Sequence, residues 1–329
     1  MKSIDRSEFC KRMNEYGRSR RPCLFIADFE GREFVVAGLD ELEHMGISAE
    51  FEGRRYGADP QIADCIERGN IVMHPISYEQ YKIGFDEVME RLKYGDTYLL
   101  NLTYPTLLEG VEGPELLYTR ASAPYKMLFG GRFLFYSPEP FVRIEDDTIH
   151  SFPMKGTIDA TLDGAEELLL GNKKELYEHY TIVDLIRNDL ATVAERINVD
   201  SFRYIEPVKR HSGVILQTSS KISGRLAPNW RERLGENLLR LLPAGSISGA
   251  PKERSVEIIR KVEICERGFY TGVAGVFDGE TLSSCVMIRF MEILGNGRYI
   301  YHSGGGITAM SSADEEYAEL ISKIYVPVI

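Results

Sequence analysis

Lys126 to Tyr136 read KMLFGGRFLFY, two short apolar runs on either side of a glycine pair. Runs of this length that are rich in Phe, Leu and Tyr and bounded by glycine are typical of two adjacent strands. Similar pairs occur at residues 23–29 and 33–37, and at residues 272–277 and 282–288. Because strands come in adjacent pairs and do not alternate strictly with helices, the sequence predicts an α+β fold of antiparallel sheets with helices packed outside.

Helical patterns separate these strand pairs, at residues 81–92, 165–169, 176–193, 231–242 and 255–263. The pattern at 176–193 has apolar residues at spacings of three and four, which predicts one buried stripe. The stripe consists of Leu176, Tyr180, Val183, Ile186, Leu190 and Val193. Glu175 and Glu178 lie three residues apart at its edge.

A last helix is predicted after Ser312, which forms a capping-box pattern with Glu315. This helix contains a second pair of glutamates three residues apart, Glu316 and Glu319, and Lys323 follows Glu319 by one turn. Two such pairs could together hold Mg²⁺, which takes oxygen ligands and keeps several of its waters. The alternative is a solvated helix face on which Glu319 and Lys323 form an ordinary ion pair.

The composition predicts a folded globular protein. Of the 329 residues, 43% are hydrophobic and 27% charged, so a disordered protein is excluded. The formal net charge of −11 would repel a phosphate backbone, which argues against nucleic acid as a partner. We expect no membrane segment, because no run of about 18 apolar residues occurs. Five cysteines without zinc-type spacing are typical of a reducing compartment, and we expect a cytoplasmic protein.

The first part of the chain differs from the rest. Residues 1–77 contain a polar helical opening followed by strand signals, which predict a short β-rich cap segment. Residues 78–329 carry most of the helices and are expected to be the catalytic region. We expect the cap and the catalytic region to form one domain, because no long flexible linker separates them.

Two further motifs suggest a site. Gly304, Gly305 and Gly306 follow a strand-like run and would let backbone N–H groups approach an anion, with a tight turn as the alternative. Lys155 lies between a proline and a glycine, in a predicted turn after a strand. A lysine there could be a solvated turn residue. In a dry site or beside a cation, however, its free amine would be a nucleophile.

Six motifs in chain order resemble the successive signatures of the chorismate-utilising enzymes. This family includes anthranilate synthase component I, aminodeoxychorismate synthase component I, and the isochorismate and salicylate synthases. The motifs are SPE at 137–139, PMKGT at 153–157, EH with DLIRNDL at 178–190, GSISGAPK at 245–252, RGFYTG at 267–272, and GGG with EYAE at 304–319. The resemblance implies one domain with two facing antiparallel sheets, helices outside, and a Mg²⁺-dependent site for chorismate.

Two positions divide this family by reaction. Isochorismate and salicylate synthases carry a lysine base at the position of Leu99, and aminating members usually carry glutamine, so Leu99 departs from both patterns. Leucine cannot take a proton from water, which disfavours the isochorismate branch. At the position of Lys155, anthranilate synthases have alanine and aminodeoxychorismate synthases have lysine. The resemblance therefore implies that chorismate and ammonia give 4-amino-4-deoxychorismate, for p-aminobenzoate and folate, through a covalent intermediate at Lys155.

The resemblance also implies a role for each matching residue. Glu139 would be the general acid that protonates the departing C4 hydroxyl, and Lys155 the nucleophile. Glu178 and Glu319 would be direct Mg²⁺ ligands, while Glu175 and Glu316 would complete the acidic group. The residues expected to hold the substrate are Gly156, Thr157, Tyr270, Arg289, Gly304, Gly305, Gly306 and Lys323. Of these, Arg289 and Tyr270 would grip the enolpyruvyl carboxylate.

The expected reaction needs a source of ammonia and has two alternatives. No Cys–His–Glu amidotransferase triad is recognisable, so ammonia is expected from solution or from a PabA-like glutamine amidotransferase subunit. Gln217 stands where the family has a histidine, and it can hydrogen-bond but cannot shuttle a proton. The alternatives are anthranilate synthase component I, which releases pyruvate, and a chorismate-binding subunit without activity. The intact set of Glu139, Lys155, four glutamates and Arg289 argues against the second.

Overall fold

Two nine-stranded sheets form the centre of the computed structural model, which describes residues 3–62, 70–210 and 213–325. The strands in these ranges are β1 (Cys23–Ala27), β2 (Phe34–Gly38), β3 (Ile47–Phe51), β4 (Arg54–Tyr56), β5 (Val72–His74), β6 (Leu99–Glu109), β7 (Tyr125–Phe129), β8 (Phe133–Ser137), β9 (Pro140–Glu145), β10 (Thr148–Ser151), β11 (Met154–Asp159), β12 (Ala194–Arg210), β13 (Gly213–Leu226), β14 (Gly249–Ala250), β15 (Val273–Phe277), β16 (Leu282–Val286), β17 (Phe290–Gly295) and β18 (Arg298–Thr308). The α-helices in these ranges are α1 (Arg6–Ser19), α2 (Tyr78–Tyr94), α3 (Pro114–Arg120), α4 (Ala165–Gly171), α5 (Lys173–Ala191), α6 (Leu234–Leu241), α7 (Lys252–Val262) and α8 (Ala313–Ser322).

Each sheet contains some of the strand pairs that the sequence predicts. The first sheet has the order β11, β13, β10, β9, β16, β15, β1 and β2, and β12 pairs along β13. The second has the order β14, β6, β18, β17, β8, β7, β3 and β4, and β5 also pairs with β6. All strand pairs in the described ranges are antiparallel.

An apolar layer joins the two sheets. Leu24 and Ile26 of β1 are fully buried in one cluster with Met127 of β7, Phe135 of β8 and Phe290 of β17. The first two side chains come from the first sheet and the other three from the second, so the sheets face each other across this layer. The predicted α+β fold of two facing antiparallel sheets is confirmed.

The segment before α2 contributes strands to both sheets. Strands β1 and β2 extend the first sheet beyond β15, and β3 and β4 extend the second beyond β7. A further apolar cluster contains side chains of α1, α2, α5, α6 and α7 together with strands of both sheets. None of the helices in ranges 3–62, 70–210 and 213–325 is long and apolar enough to cross a membrane.

Helix α5 lies close to its predicted bounds, but its buried face differs from the predicted stripe. Val183 is buried as predicted, whereas Tyr180 is 54% exposed, so the predicted burial of Tyr180 is wrong. Glu178 and His179 are buried instead. His179 Nε2 lies 2.6 Å from the Ser220 hydroxyl of β13, and this hydrogen bond turns that side of the helix toward the sheet.

The last helix begins after Ser312 as predicted, but the predicted capping box is wrong. Ser312 is the N-cap residue, yet its side chain makes no cap hydrogen bond. The neighbouring Ser311 hydroxyl instead donates a hydrogen bond of 2.7 Å to Glu316 Oε1. The serine next to the cap therefore orients a buried glutamate in the first turn.

Replacing Gly17 by alanine should destabilise the fold, although alanine is ordinarily the better helix former. A Cβ atom on Gly17 of α1 would lie 1.9 Å from the Arg231 carbonyl oxygen, so the helix would have to move away from that backbone. We expect Gly17→Ala to lower the free energy of unfolding by about 1–3 kcal/mol, measured by urea denaturation. Gly171→Ala is the matched control, because a Cβ there meets nothing within 4 Å. Equal stability of the two variants would contradict this packing.

Candidate active site

Helices α5 and α8 bring the four glutamates of the two predicted pairs to one side of the sheets. Glu178 and Glu316 are buried, with 8% and 5% of their surface exposed. Glu175 is half-buried, and the Glu319 side chain is about half exposed. A Cβ built on Gly305 of β18 would lie 3.3 Å from Glu316 Oε2 and 3.8 Å from Glu319 Oε1. The strand and both acidic groups of α8 therefore meet at this glycine.

Lys155 lies in a strand, so its predicted turn is wrong. It pairs with Thr218 across β11 and β13, and the register shifts between Lys155 and Thr157. Gly156 has a positive φ of 76° in this bulge, a conformation that glycine adopts without strain. The Lys155 ammonium lies 3.8 Å from Glu178 Oε2. The bulge thus directs Lys155 from the first sheet toward α5.

Gly304, Gly305 and Gly306 lie inside a strand, β18, so the alternative of a tight turn is wrong. They pair with residues 101–103 of β6. A Cβ on Gly304 would lie 2.4 Å from the Leu102 carbonyl oxygen, and one on Gly306 would lie 3.2 Å from Lys155 Nζ. Glycine is required here because the neighbouring backbone and Lys155 approach the strand closely.

Three lysines compensate the acidic group. Lys323 Nζ lies 2.6 Å from Glu319 Oε1, and Lys174 Nζ lies 3.3 Å from Glu316 Oε1. Burial raises the pKa of Glu178, and the charge of Lys155 opposes this rise only in part. Burial also acts to raise the pKa of Glu319, but the adjacent Lys323 outweighs it and the pKa is lowered.

Glu139 follows β8 and lies on the same side as Lys155. Its carboxylate accepts a hydrogen bond from the Ser246 hydroxyl. Burial raises the pKa of Glu139, while Ser246, Lys155, Arg289 and Lys323 act in the opposite direction. Three predicted site residues therefore lie close enough to Glu139 for their charges to act on it. A raised pKa suits a carboxylic acid that must hold a proton near neutral pH.

Tyr270 and Arg289 form a further wall of the site. Tyr270 is buried and stacks on His302 with ring centres 4.8 Å apart. Arg289 has a positive φ of 52° between β16 and β17, and non-glycine residues in this conformation concentrate at functional sites. Thr157 is exposed, and no described hydrogen bond or ion pair joins it to the acidic group.

The two departures from the family pattern occupy different places. Leu99 at the start of β6 is buried, and its Cδ1 atom would lie 3.2 Å from a Cβ on Gly306, the same point that Lys155 Nζ approaches. Leu99 thus places an apolar group beside the lysine. Gln217 pairs with Thr157 in the sheet, and its amide lies against the sulfur of Met154.

The glutamates have the chemistry of a Mg²⁺ site. Their donors are carboxylate oxygens, the ligands that Mg²⁺ takes from proteins, usually one or two at a time with bound waters. Glu178 is largely buried, accepts none of the described hydrogen bonds, and has its lysine at 3.8 Å, so its charge is incompletely compensated. No three His, Cys, Asp or Glu side chains in the described ranges lie close enough together to enclose a metal on their own.

Lys174 and Ser246 are site residues for which the sequence predicted no role. Lys174 precedes Glu178 by four residues, so the helical spacing alone places both on one face. Its contact with Glu316 of α8, however, joins residues that are 142 positions apart. No local sequence pattern predicts such a contact. Ser246 lies within a quoted motif, but its partner Glu139 is 107 positions away.

Relatives of the chain include enzymes that act on chorismate. Residues 68–328 match the chorismate binding enzyme family. A protein of Haemophilus influenzae, named as an uncharacterized PabA-like protein, is 47% identical over 320 residues, 97% of this chain and 96% of that protein. A 2-amino-4-deoxychorismate synthase of Streptomyces globisporus is 32% identical over 260 residues, 75% of this chain and 51% of that enzyme.

The fold is shared with a solved member of the same group. Anthranilate synthase component I from Streptococcus pneumoniae superimposes with a TM-score of 0.64 at 27% identity, covering 78% of this chain and 59% of that chain. The chain therefore belongs to the chorismate binding enzyme family, as its motifs suggested. It is a chorismate-utilising enzyme of the type that includes anthranilate synthase component I.

The buried His179 makes stability depend on pH. Burial lowers the pKa of His179 from 6.5 to about 4, so the folded protein holds this imidazole neutral. The unfolded chain takes up the proton first as the pH falls, and stability is therefore lost between about pH 6.5 and pH 4. We expect the free energy of unfolding to fall over that interval by up to about 3 kcal/mol on account of this group.

His179→Gln removes the titrating ring but keeps a polar group opposite Ser220, so its stability should depend less on pH. Urea denaturation at pH 7, 5.5 and 4.5 measures the difference. His44→Gln is the control, because His44 is exposed and should leave the wild-type slope unchanged. The same pH slope in His179→Gln and wild type would show that this group does not control acid stability.

Proposed function

We propose that this member of the chorismate binding enzyme family is an aminodeoxychorismate synthase component I, which converts chorismate and ammonia to 4-amino-4-deoxychorismate. The observation that carries the proposal is the position of Lys155. Its amine lies between Gly306 and Glu178, and it is close enough to Glu139 for the two charges to interact. A relative named 2-amino-4-deoxychorismate synthase supports an aminating reaction, although that name places the amine at C2 and the proposal places it at C4.

In the proposed reaction Lys155 acts as a nucleophile. Its nitrogen bonds to C2 of chorismate, both ring double bonds shift (C1=C2 to C1=C6 and C5=C6 to C4=C5), and the C4–O bond breaks as the protonated oxygen leaves as water. Ammonia then bonds to C4, both double bonds shift back, and the C2–N bond to Lys155 breaks as a proton from the new C4 ammonium passes to the lysine nitrogen. The amine must be unprotonated to attack, and a cation held by Glu178, whose Oε2 lies 3.8 Å from the amine, would favour its neutral form. Two displacements replace one difficult step.

Glu139 supplies the proton for the first step. Hydroxide is a poor leaving group, so the C4 oxygen must be protonated as its bond breaks. Burial raises the pKa of Glu139, which favours the protonated acid in the free enzyme. The Ser246 hydroxyl contacts Oε1 of this carboxyl group and holds its orientation. Oε2 is then the oxygen that we expect to carry the transferred proton.

Mg²⁺ is the cofactor that we propose for the glutamates of α5 and α8. Glu178 and Glu319 would be the direct ligands, and Glu175 and Glu316 would hold its waters. Bound Mg²⁺ would neutralise the ring carboxylate of chorismate and draw electron density toward it. A bound cation would displace these lysines in part, because the cation and the lysine ammonium groups compete for the same glutamate oxygens.

Ammonia would come from a separate glutamine amidotransferase subunit. Glutamine hydrolysis by that class needs a reactive thiolate, and burial raises the pKa of each cysteine in the described ranges. These cysteines are Cys10, Cys23, Cys265 and Cys285, all free thiols. Cys65 lies outside the described residues. The second candidate function, anthranilate synthase component I, is supported by the solved relative but gives Lys155 no role.

Withholding ammonia tests the role of Lys155. The first displacement needs no ammonia, so wild type with chorismate and Mg²⁺ should gain a chorismate-derived mass that maps to Lys155 by peptide mass spectrometry. Lys155→Ala should lose amination by several orders of magnitude. Lys155→Arg should be equally poor, because arginine keeps the charge but is almost never deprotonated.

Lys82→Ala is the matched control, since Lys82 is an exposed lysine of α2 that pairs with Asp86. It should retain wild-type amination and the same mass increment at Lys155. An active Lys155→Arg variant together with no mass increment would contradict the covalent mechanism. Direct attack by ammonia, in the manner of an anthranilate synthase, would then replace it.

The Mg²⁺ proposal predicts different effects for the two members of each glutamate pair. Glu178→Gln and Glu319→Gln should raise the Mg²⁺ concentration needed for half-maximal activity more than Glu175→Gln and Glu316→Gln, because direct ligands contribute more than water-mediated ones. Added Mg²⁺ should also raise the melting temperature of wild type and not that of Glu178→Gln. Full turnover in excess chelator would refute a Mg²⁺ requirement.

A further inference from the structure

No described ion pair joins Arg289 to an acidic side chain, although its charge reaches the Glu139 carboxyl group. The tyrosines Tyr301, Tyr325 and Tyr270 also act on Arg289. Its Nε atom donates a hydrogen bond of 3.2 Å to the Tyr325 hydroxyl, and the guanidinium lies 5.3 Å from the centre of the Tyr325 ring. A half-buried guanidinium that contacts phenols and forms no ion pair keeps its charge for an anion.

The segment that carries Tyr325 is fixed just before this residue. The Lys323 carbonyl accepts a hydrogen bond of 2.8 Å from the buried Tyr301 hydroxyl. The Lys323 ammonium donates one of 2.8 Å to the Gly304 carbonyl. Ile324 is buried. These contacts fix the backbone just before Tyr325, and so they fix the direction from which its side chain approaches Arg289. The Tyr325 side chain itself is 45% exposed.

The hydrogen bond from Arg289 to Tyr325 uses only one of the donors of the guanidinium and leaves the others for a substrate. Arginine has five N–H donors, and Tyr325 uses the one on Nε. The two Nη groups are left to grip both oxygens of a carboxylate. The Tyr325 oxygen accepts from Arg289, so its own O–H remains available to donate to that carboxylate.

We propose that Tyr325 is a positioning residue for the substrate: it fixes the Arg289 guanidinium and adds its hydroxyl as a third donor to the bound carboxylate. This inference rests on the proposed function, in which Arg289 holds the enolpyruvyl carboxylate of chorismate. A neutral partner suits this task better than a glutamate would. A carboxylate on the protein would compete with the substrate for the same guanidinium, whereas a phenol orients it and leaves the charge free.

Tyr325→Phe tests the hydroxyl while keeping the ring over Arg289. Binding of chorismate is measured by isothermal titration in the Lys155→Ala background, in which no covalent step intervenes. We expect Tyr325→Phe to weaken binding at least about tenfold, the effect of one hydrogen bond to a charged group. In the enzyme with Lys155, KM should rise by a similar factor while kcat is nearly unchanged. Tyr94→Phe is the control, because Tyr94 is an 84% exposed tyrosine at the end of α2.

A double-mutant cycle shows whether Tyr325 acts through Arg289. In an Arg289→Lys background the Nε donor is gone, and Tyr325→Phe should then change binding much less than it does in the parent. Wild-type affinity in Tyr325→Phe, together with weak binding in Arg289→Lys, would overturn this inference and leave the proposed function standing. Wild-type affinity in both variants would overturn the role of Arg289 as well. The identity of the product decides the proposed function separately.

Discussion

The burial of two carboxylates, Glu178 on α5 and Glu316 on α8, is the constraint on which the rest of the site depends. Removing a carboxylate from water costs several kcal/mol unless other charges compensate it. Lys155 from β11, 3.8 Å from Glu178, and Lys174 from α5, 3.3 Å from Glu316, supply part of that compensation. Both contacts exist only because the strand and the two helices meet here. The electrostatics of the site and the packing of these elements therefore depend on each other.

The two sheets bring their backbones and the side chains of the site close together at glycine positions. The bulge at Gly156 directs Lys155 toward α5, and the glycines of β18 leave space where side chains would otherwise lie. Helix α5 buries Glu178 and His179 beside its apolar side chains, and His179 bonds to Ser220 of β13. Leu99 adds an apolar group next to the lysine. An amine, an acid and a group of carboxylates are thus gathered on one side of a rigid double sheet.

Much of this could be predicted from the sequence, because paired strands and helical periodicity are local signals. The predicted strand pairs at β1–β2, β7–β8 and β15–β16 are present, and the family motifs named the glutamates that α5 and α8 bring together. The errors occurred where tertiary contacts override local patterns. Lys155 reads as a turn because proline and glycine flank it, yet pairing with β13 extends the strand. Tyr180 fits the apolar period, but its exposed ring stacks on Phe202, and the neighbouring His179 is buried against Ser220 instead.

Long-range partners had no signal in the sequence. The contact of Ser246 with Glu139 and that of Tyr325 with Arg289 join residues 107 and 36 positions apart, and no spacing rule connects them. Such contacts follow from how the sheets and the ends of the helices pack. They orient the carboxyl group of Glu139 and the guanidinium of Arg289, so they bear directly on the chemistry.

We propose that this site aminates chorismate at C4 and leaves the enolpyruvyl group in place. Incubating the purified chain with chorismate, Mg²⁺ and ammonium at high pH, and identifying the products by liquid chromatography and mass spectrometry, tests this directly. The expected product is 4-amino-4-deoxychorismate, without release of pyruvate. Anthranilate with an equal amount of pyruvate would show that the amine enters at C2 instead.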